Sequence, residues 1–144
     1  MRNEVRIPIE SEADIVAARQ CARALAEELG FHGSDLTVIA TAISEVARNI
    51  VQYAESGEII LRSASRDSRF GIIMIAQDHG PGIIDVGKAM QDGFSTGMGL
   101  GLGLPGAKRL VDEFEIVSQP GGGTTVSMIK WTNNHESKRW RLPG

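Results

Sequence analysis

Cysteine is almost absent from this chain of 144 residues: Cys21 is the single one. That excludes an internal disulfide and a thiolate-rich zinc site, and leaves a small buried apolar residue as its ordinary reading. Long apolar runs are missing too. No stretch approaches the roughly 20 residues needed to span a bilayer. The opening MRNEVRIPIESE is charged where a signal peptide would be apolar, so the chain reads as cytoplasmic, with no membrane association. There is no basic surplus. Fifteen Lys and Arg stand against 18 Asp and Glu, a net charge of -3, which argues against nucleic acid or an anionic membrane as partner. The one local basic excess, Lys138-Arg139-Trp140-Arg141, reads as a solvated terminus. What remains is globular: 42% hydrophobic and 23% charged residues, in a length that suits one domain with a packed core.

Val5-Arg6-Ile7-Pro8-Ile9 alternates apolar with other residues, and Pro8 lacks a donor, so it predicts an edge strand. Ile15, Ala18, Ala22, Leu25 and Leu29 recur at helical spacing from Ser11 or Glu12, closed by Gly30. Ser34 can cap a second helix, in which Leu36, Ile39, Ile43, Val46, Ile50 and Tyr53 form one apolar arc for a sheet. Strands are predicted over 58–64 and 70–78, joined by the polar connection 65–69 as an antiparallel hairpin. From Gly80 to Gly106 the chain carries nine glycines and two prolines, a long functional loop apart from a short helix over 86–91. A helix over 105–112, a strand over 114–118, a turn at Gly121-Gly122-Gly123 and a strand over 124–131 follow. Residues 1–131 are thus read as one domain, and 132–144 as a mobile tail. Helices segregated from hairpin-connected strands predict an α+β fold, a two-layer sandwich with helices on one face of a mixed, mostly antiparallel sheet.

Three groups of residues carry candidate chemistry. Glu45 and Asn49 stand four apart on the second helix and project from one half-buried border of its apolar arc. A carboxylate there can take a proton from a hydroxyl, and an amide oxygen can ligate Mg²⁺ carrying phosphates. A solvated helix edge is the plain alternative. Asp78, in Asp78-His79-Gly80-Pro81-Gly82, ends a strand whose apolar run Ile72-Ile73-Met74-Ile75-Ala76 would bury its carboxylate, which could then accept a ligand amino group. The same residues also favour a simple turn. Gly97-Met98-Gly99-Leu100-Gly101-Leu102-Gly103 frees backbone N–H groups to close on phosphate oxygens ahead of a helix; the alternative is a flexible hinge.

Two further patterns fail on context. Gly101 to Gly106 matches the dinucleotide fingerprint, yet no strand leads into it and no acidic residue follows at the required distance. Gly82 to Lys88 has P-loop spacing, but Ala89 stands where a hydroxyl would hold Mg²⁺. His32, His79 and His135 share no metal-ligand spacing.

Glu45 with Asn49, Asp78-x-Gly80-x-Gly82, the Gly97 to Gly103 run and Gly123-Thr124-Thr125, in this order, resemble the N, G1 and G2 boxes of the GHKL ATPase/kinase superfamily. Within it, SEADIVAARQCARALAEELGF, TAISEVARNI, DGFSTGMGLGLGLPGAKRLVDEF and IKW resemble the RsbT-type switch serine kinases of bacterial stressosomes, over roughly Val5 to Trp131. The resemblance implies a Bergerat fold, ATP and Mg²⁺ as cofactors, and transfer of the γ-phosphate to serine or threonine on STAS-domain antagonist and scaffold proteins. It implies a released switch that then binds a downstream output protein such as a phosphatase; the alternative is an anti-sigma-type binding protein that sequesters a sigma factor. By position it makes Glu45 the general base, Asn49 the Mg²⁺ ligand, Asp78 the adenine-amine acceptor and Thr124 a second group near adenine. Gly80 and Gly82 belong to the nucleotide box, and Gly97, Gly99, Gly101 and Gly103 to the ATP lid. The cation meeting the γ-phosphate is left open, with Lys108 and Arg109 as candidates.

Overall fold

The fold was analysed in a computed structural model, which describes residues 4–80, 90 and 103–132. Its elements run β1 (Val5–Ile9), α1 (Glu12–Glu28), α2 (Ser34–Tyr53), β2 (Gly57–Arg66), β3 (Arg69–Asp78), α3 (Gly103–Leu110), β4 (Glu113–Gln119) and β5 (Gly123–Trp131). The predicted helix over 86–91, apart from Met90, and the tail beyond Thr132 lie outside the described residues.

Helix α1 opens on Ser11. The Asp14 carboxylate reaches back to accept the N–H groups of Glu10 at 2.8 Å and Ser11 at 3.1 Å, a capping box built on Asp. The chain leaves α1 through Gly30 at φ 101, a conformation that suits glycine. Helix α2 differs from the expectation at its start. Ser34 is its first residue rather than its cap, and Gly33 holds the cap position at φ 63 with no side-chain bond.

The strands form one sheet in the order β1-β2-β3-β5-β4, with every pairing antiparallel. It is therefore antiparallel throughout rather than mixed, because each strand follows its neighbour by a hairpin or returns through helices. β1 is an edge strand, as Pro8 requires. The β2–β3 hairpin is tighter than predicted: Arg66 pairs with Arg69, and Asp67 and Ser68 form a two-residue turn at φ 51 and 71. Positive φ at both central residues is the type I′ requirement, whose twist matches that of the strands.

Alternate residues of the strands face the helices. Ile7 and Ile9, Ile59 and Leu61, Ile72 and Met74, and Val126 and Met128 join Ile15, Leu25, Ile39, Ile43 and Ile50 in one core. In α2 the six consecutive residues Ala42 to Ala47 are all buried. Six residues turn through more than a full circle at about 100° each. At this level α2 is therefore enclosed on every side, by the sheet, α1 and α3.

At the hairpin end of the sheet, Trp131 lies opposite Gly71, and a side chain at 71 would begin 2.6 Å from the indole. Arg66 and Arg69 stand 4.6 and 5.4 Å from the ring centroid, and the indole Nε1 donates to Glu113 at 3.0 Å. Thr132 belongs to this end, not to a tail, because its N–H donates to the Phe70 carbonyl at 2.8 Å.

Candidate functional site

The opposite end of β3 carries Asp78, which is buried. Its Oδ1 accepts the backbone N–H of Gly80 at 2.9 Å and that of Thr124 at 3.1 Å. Neither bond uses Oδ2. Two fixed donors on one oxygen set the plane of the carboxylate and satisfy part of its charge without a cation. The neighbouring strands accommodate it through glycine. Gly57 lies across from Asp78 in β2, and a Cβ there would collide with the Gln77 carbonyl oxygen. A Cβ on Gly123, at φ 84, would collide with the carbonyl oxygen of Asp78 itself. On the helix side, Gly80 lies against Ala54, the C-cap of α2, with room for no more than hydrogen. Thr124 is also buried, and its hydroxyl lies 2.8 Å from that of Ser118.

Glu45 occupies the enclosed stretch of α2 and is 8% exposed. The expectation of a half-buried helix border is thus corrected: packing of α3 onto α2 covers the carboxylate. Its Oε1 accepts the backbone N–H of Gly103, the first residue of α3, at 2.9 Å. Oε2 lies 3.3 Å from Arg48 Nη1. On the helical wheel Arg48 falls about 60° to one side of Glu45 and Asn49 about 40° to the other. Asn49 is half-buried.

α2 therefore serves as a rail. Glu45 meets the start of α3, Asn49 stands one turn on, and Ala54 meets the segment after β3. Nine residues of helix separate Glu45 from Ala54, on the order of 13 Å. The structure so brings Asp78, Gly80 and Thr124 together at the end of β3, and Glu45 and Gly103 together farther back along α2, with Asn49 on the helix between the two groups. Gly82, Gly97, Gly99 and Gly101 lie outside the described residues. Lys108 and Arg109 are exposed in the last turn of α3, away from Gly103, and Arg109 Nη1 donates to the Pro105 carbonyl at 3.3 Å.

The sequence did not single out Arg48, Gly57 or Ser118. The signals were present: an i, i+3 charge pair with Glu45, and a glycine opening a strand against a buried carboxylate. Among the described residues no group of His, Cys, Asp and Glu could hold a metal by itself, and no helix is long and apolar enough to cross a membrane.

The described site thus consists of a buried carboxylate at Asp78 and a second at Glu45, the latter bonded to the first residue of α3. Comparisons with known proteins give the family. The family described as the histidine kinase-like ATPase domain matches residues 8–130. The chain is 51% identical over 131 residues to the serine/threonine-protein kinase RsbT of Bacillus subtilis (strain 168), covering 91% of this chain and 98% of that protein. It is 36% identical over 120 residues to the anti-sigma F factor of Caldanaerobacter subterraneus subsp. tengcongensis, covering 79% of this chain and 82% of that protein. A crystal structure of the RsbU and RsbW domains of a Mycobacterium tuberculosis protein shares the fold, with a TM-score of 0.60 at 23% identity over 90% of this chain and 32% of that one. A buried Asp at a strand end, a carboxylate facing the start of α3 and near full-length similarity lead to one assignment. The chain belongs to the histidine kinase-like ATPase domain family and, within it, to the RsbT-type serine/threonine-protein kinases.

Proposed function

We propose that the chain uses Mg-ATP to phosphorylate serine or threonine on small STAS-domain antagonist and scaffold proteins in the cytoplasm. Once released from them it binds a downstream output protein, such as a phosphatase. The observation that carries the phosphotransfer reading is the buried Glu45 carboxylate held at the N-terminus of α3, where the glycine run ends.

The residues fit the nucleotide. Asp78 is a buried acceptor with a fixed plane, and Gly57, Gly80 and Gly123 let three backbone segments close around it. In this reading Asp78 accepts the adenine amine and Thr124 lies beside it. Asn49 offers an amide oxygen to the metal. The glycine run of Gly97, Gly99 and Gly101 that ends at Gly103 would cradle the phosphates, and Gly80 and Gly82 belong to the box around the adenine. Bound Mg-ATP would supply the phosphoryl group and the charge neutralisation that its transfer needs. Glu45 takes the proton of the acceptor hydroxyl. A carboxylate oxygen that already accepts one N–H keeps a second lone pair, so the bond to Gly103 does not block that role.

The test is incubation of the purified protein with ATP, Mg²⁺ and a STAS-domain protein, followed by mass spectrometry. A phosphoserine or phosphothreonine that disappears with EDTA or with Glu45→Gln is expected. No phosphoprotein, or equal transfer by Glu45→Gln, overturns the reading.

A second reading rests on the 36% identity to an anti-sigma F factor: ATP sets the conformation and the output is capture of a sigma factor. Co-purification separates them, since the switch kinase retains a STAS protein or an effector, whereas the second reading requires a sigma factor.

A further inference from the structure

Glu45 is buried, and Gly103 fixes only Oε1. The terminal torsion of a glutamate is broad, so one hydrogen bond leaves the plane of the carboxylate free to swing. Arg48 supplies the second anchor. Its Nη1 lies 3.3 Å from Oε2, and its side chain remains 35% exposed. The two anchors grip opposite oxygens. A buried carboxylate also needs a compensating partner, and the Arg48 guanidinium lies beside it. Lys108 and Arg109, the cations nearest in sequence to Gly103, lie five and six residues farther along α3, on its exposed last turn.

We propose that Arg48 is a positioning residue for phosphoryl transfer, acting through Glu45. The guanidinium holds Oε2 so that the carboxylate faces the flank by which a protein-borne hydroxyl can enter. Glu45 then receives the Oγ proton as that oxygen bonds to phosphorus, and the leaving group departs with the electron pair of the bond that breaks. A misplacement of the base by an ångström is enough to cost on the order of a hundredfold in rate. The inference rests on Glu45 being the base.

The experiment compares wild type, Arg48→Ala, Arg48→Lys, Glu45→Gln and the Arg48→Ala/Glu45→Gln double variant in the STAS phosphotransfer assay, with ATP affinity measured separately. Arg48→Ala is expected to lower kcat by about tenfold to a hundredfold with ATP affinity and KM for ATP unchanged. Arg48→Lys restores part of the loss, because a point charge still reaches one oxygen. In the Glu45→Gln background Arg48→Ala costs nothing further. Wild-type kcat in Arg48→Ala, no recovery in Arg48→Lys, or a full additional loss in the double variant overturns the proposal while leaving Glu45 as base. Wild-type transfer by Glu45→Gln overturns the base assignment itself, and the role of Arg48 with it.

Discussion

The Glu45 carboxylate accepts the backbone N–H of Gly103 at 2.9 Å across 58 positions of sequence. A helix begins with N–H groups that have no partner within it, and its N-terminus favours negative charge. Glu45 therefore caps α3 from another helix. The residue proposed as base is also the one that ties the end of the glycine run to the core.

Glu45→Ala is expected to lose stability as well as activity. It leaves the Gly103 N–H and Arg48 without their acceptor, a cost of roughly 1–3 kcal/mol. Glu45→Gln keeps an acceptor for Gly103 but turns its amide donors toward Arg48, so it should lose less stability than Glu45→Ala. Both should lose about a hundredfold to ten-thousandfold in phosphotransfer, read by denaturant unfolding and the kinase assay side by side.

Gly103 sits at φ 70. Gly103→Ala keeps the N–H but forces a side chain into the left-handed region, at roughly 1–2 kcal/mol. A lowered melting temperature is expected, and an unchanged one would mean that α3 can start one residue later.

Asp78→Ala removes the acceptor of two backbone donors, each worth roughly 1–3 kcal/mol when orphaned in a buried place. Asp78→Asn retains one oxygen for Gly80 and Thr124, so it should be the more stable of the two. Its amide presents donors where the carboxylate presented an acceptor, and ATP affinity should fall in both variants. Isothermal titration and thermal unfolding give the two readings.

Ser68 holds φ 71 in the β2–β3 turn. Ser68→Gly relieves a strain of about 1–2 kcal/mol, offset by the extra unfolded-chain freedom of glycine at about 0.5–1 kcal/mol. A net gain of a few tenths to about 1 kcal/mol should raise the melting temperature by a few degrees at most, with kinase activity unaffected.

The carboxyl of Glu113 is held below its ordinary value of 4.5, first by the Trp131 indole N–H and then by Arg66. A depressed folded-state value means stability that is complete above about 4.5 and lost as pH falls through the folded value. The stability difference between wild type and Glu113→Gln should therefore be constant near neutral pH and shrink below 4.5, as followed by unfolding at stepped pH.

Much of this architecture was legible because its elements have strong periods. The apolar arc of α2 and the alternation in β3 placed both elements, and Asp78 at the end of a buried strand was readable as a buried acceptor. The tight hairpin was obscured because Asp67 and Ser68 carry positive φ without glycine, so turn chemistry gave no cue to a two-residue loop. Burial of Glu45 was hidden for a different reason. It stands outside the sheet-facing arc, and α3, distant in sequence, packs on that side.

Asp78 also stitches β3 to β5 through the Thr124 N–H and fixes the turn at Gly80. Any variant at this position alters the seam of the sheet together with the proposed adenine contact. It is therefore a poor inactive control for partner-binding experiments, since a lost partner could report a loosened surface. Glu45→Gln, which preserves size and an acceptor for Gly103, is the cleaner silent copy with which to ask whom this protein holds when it cannot phosphorylate.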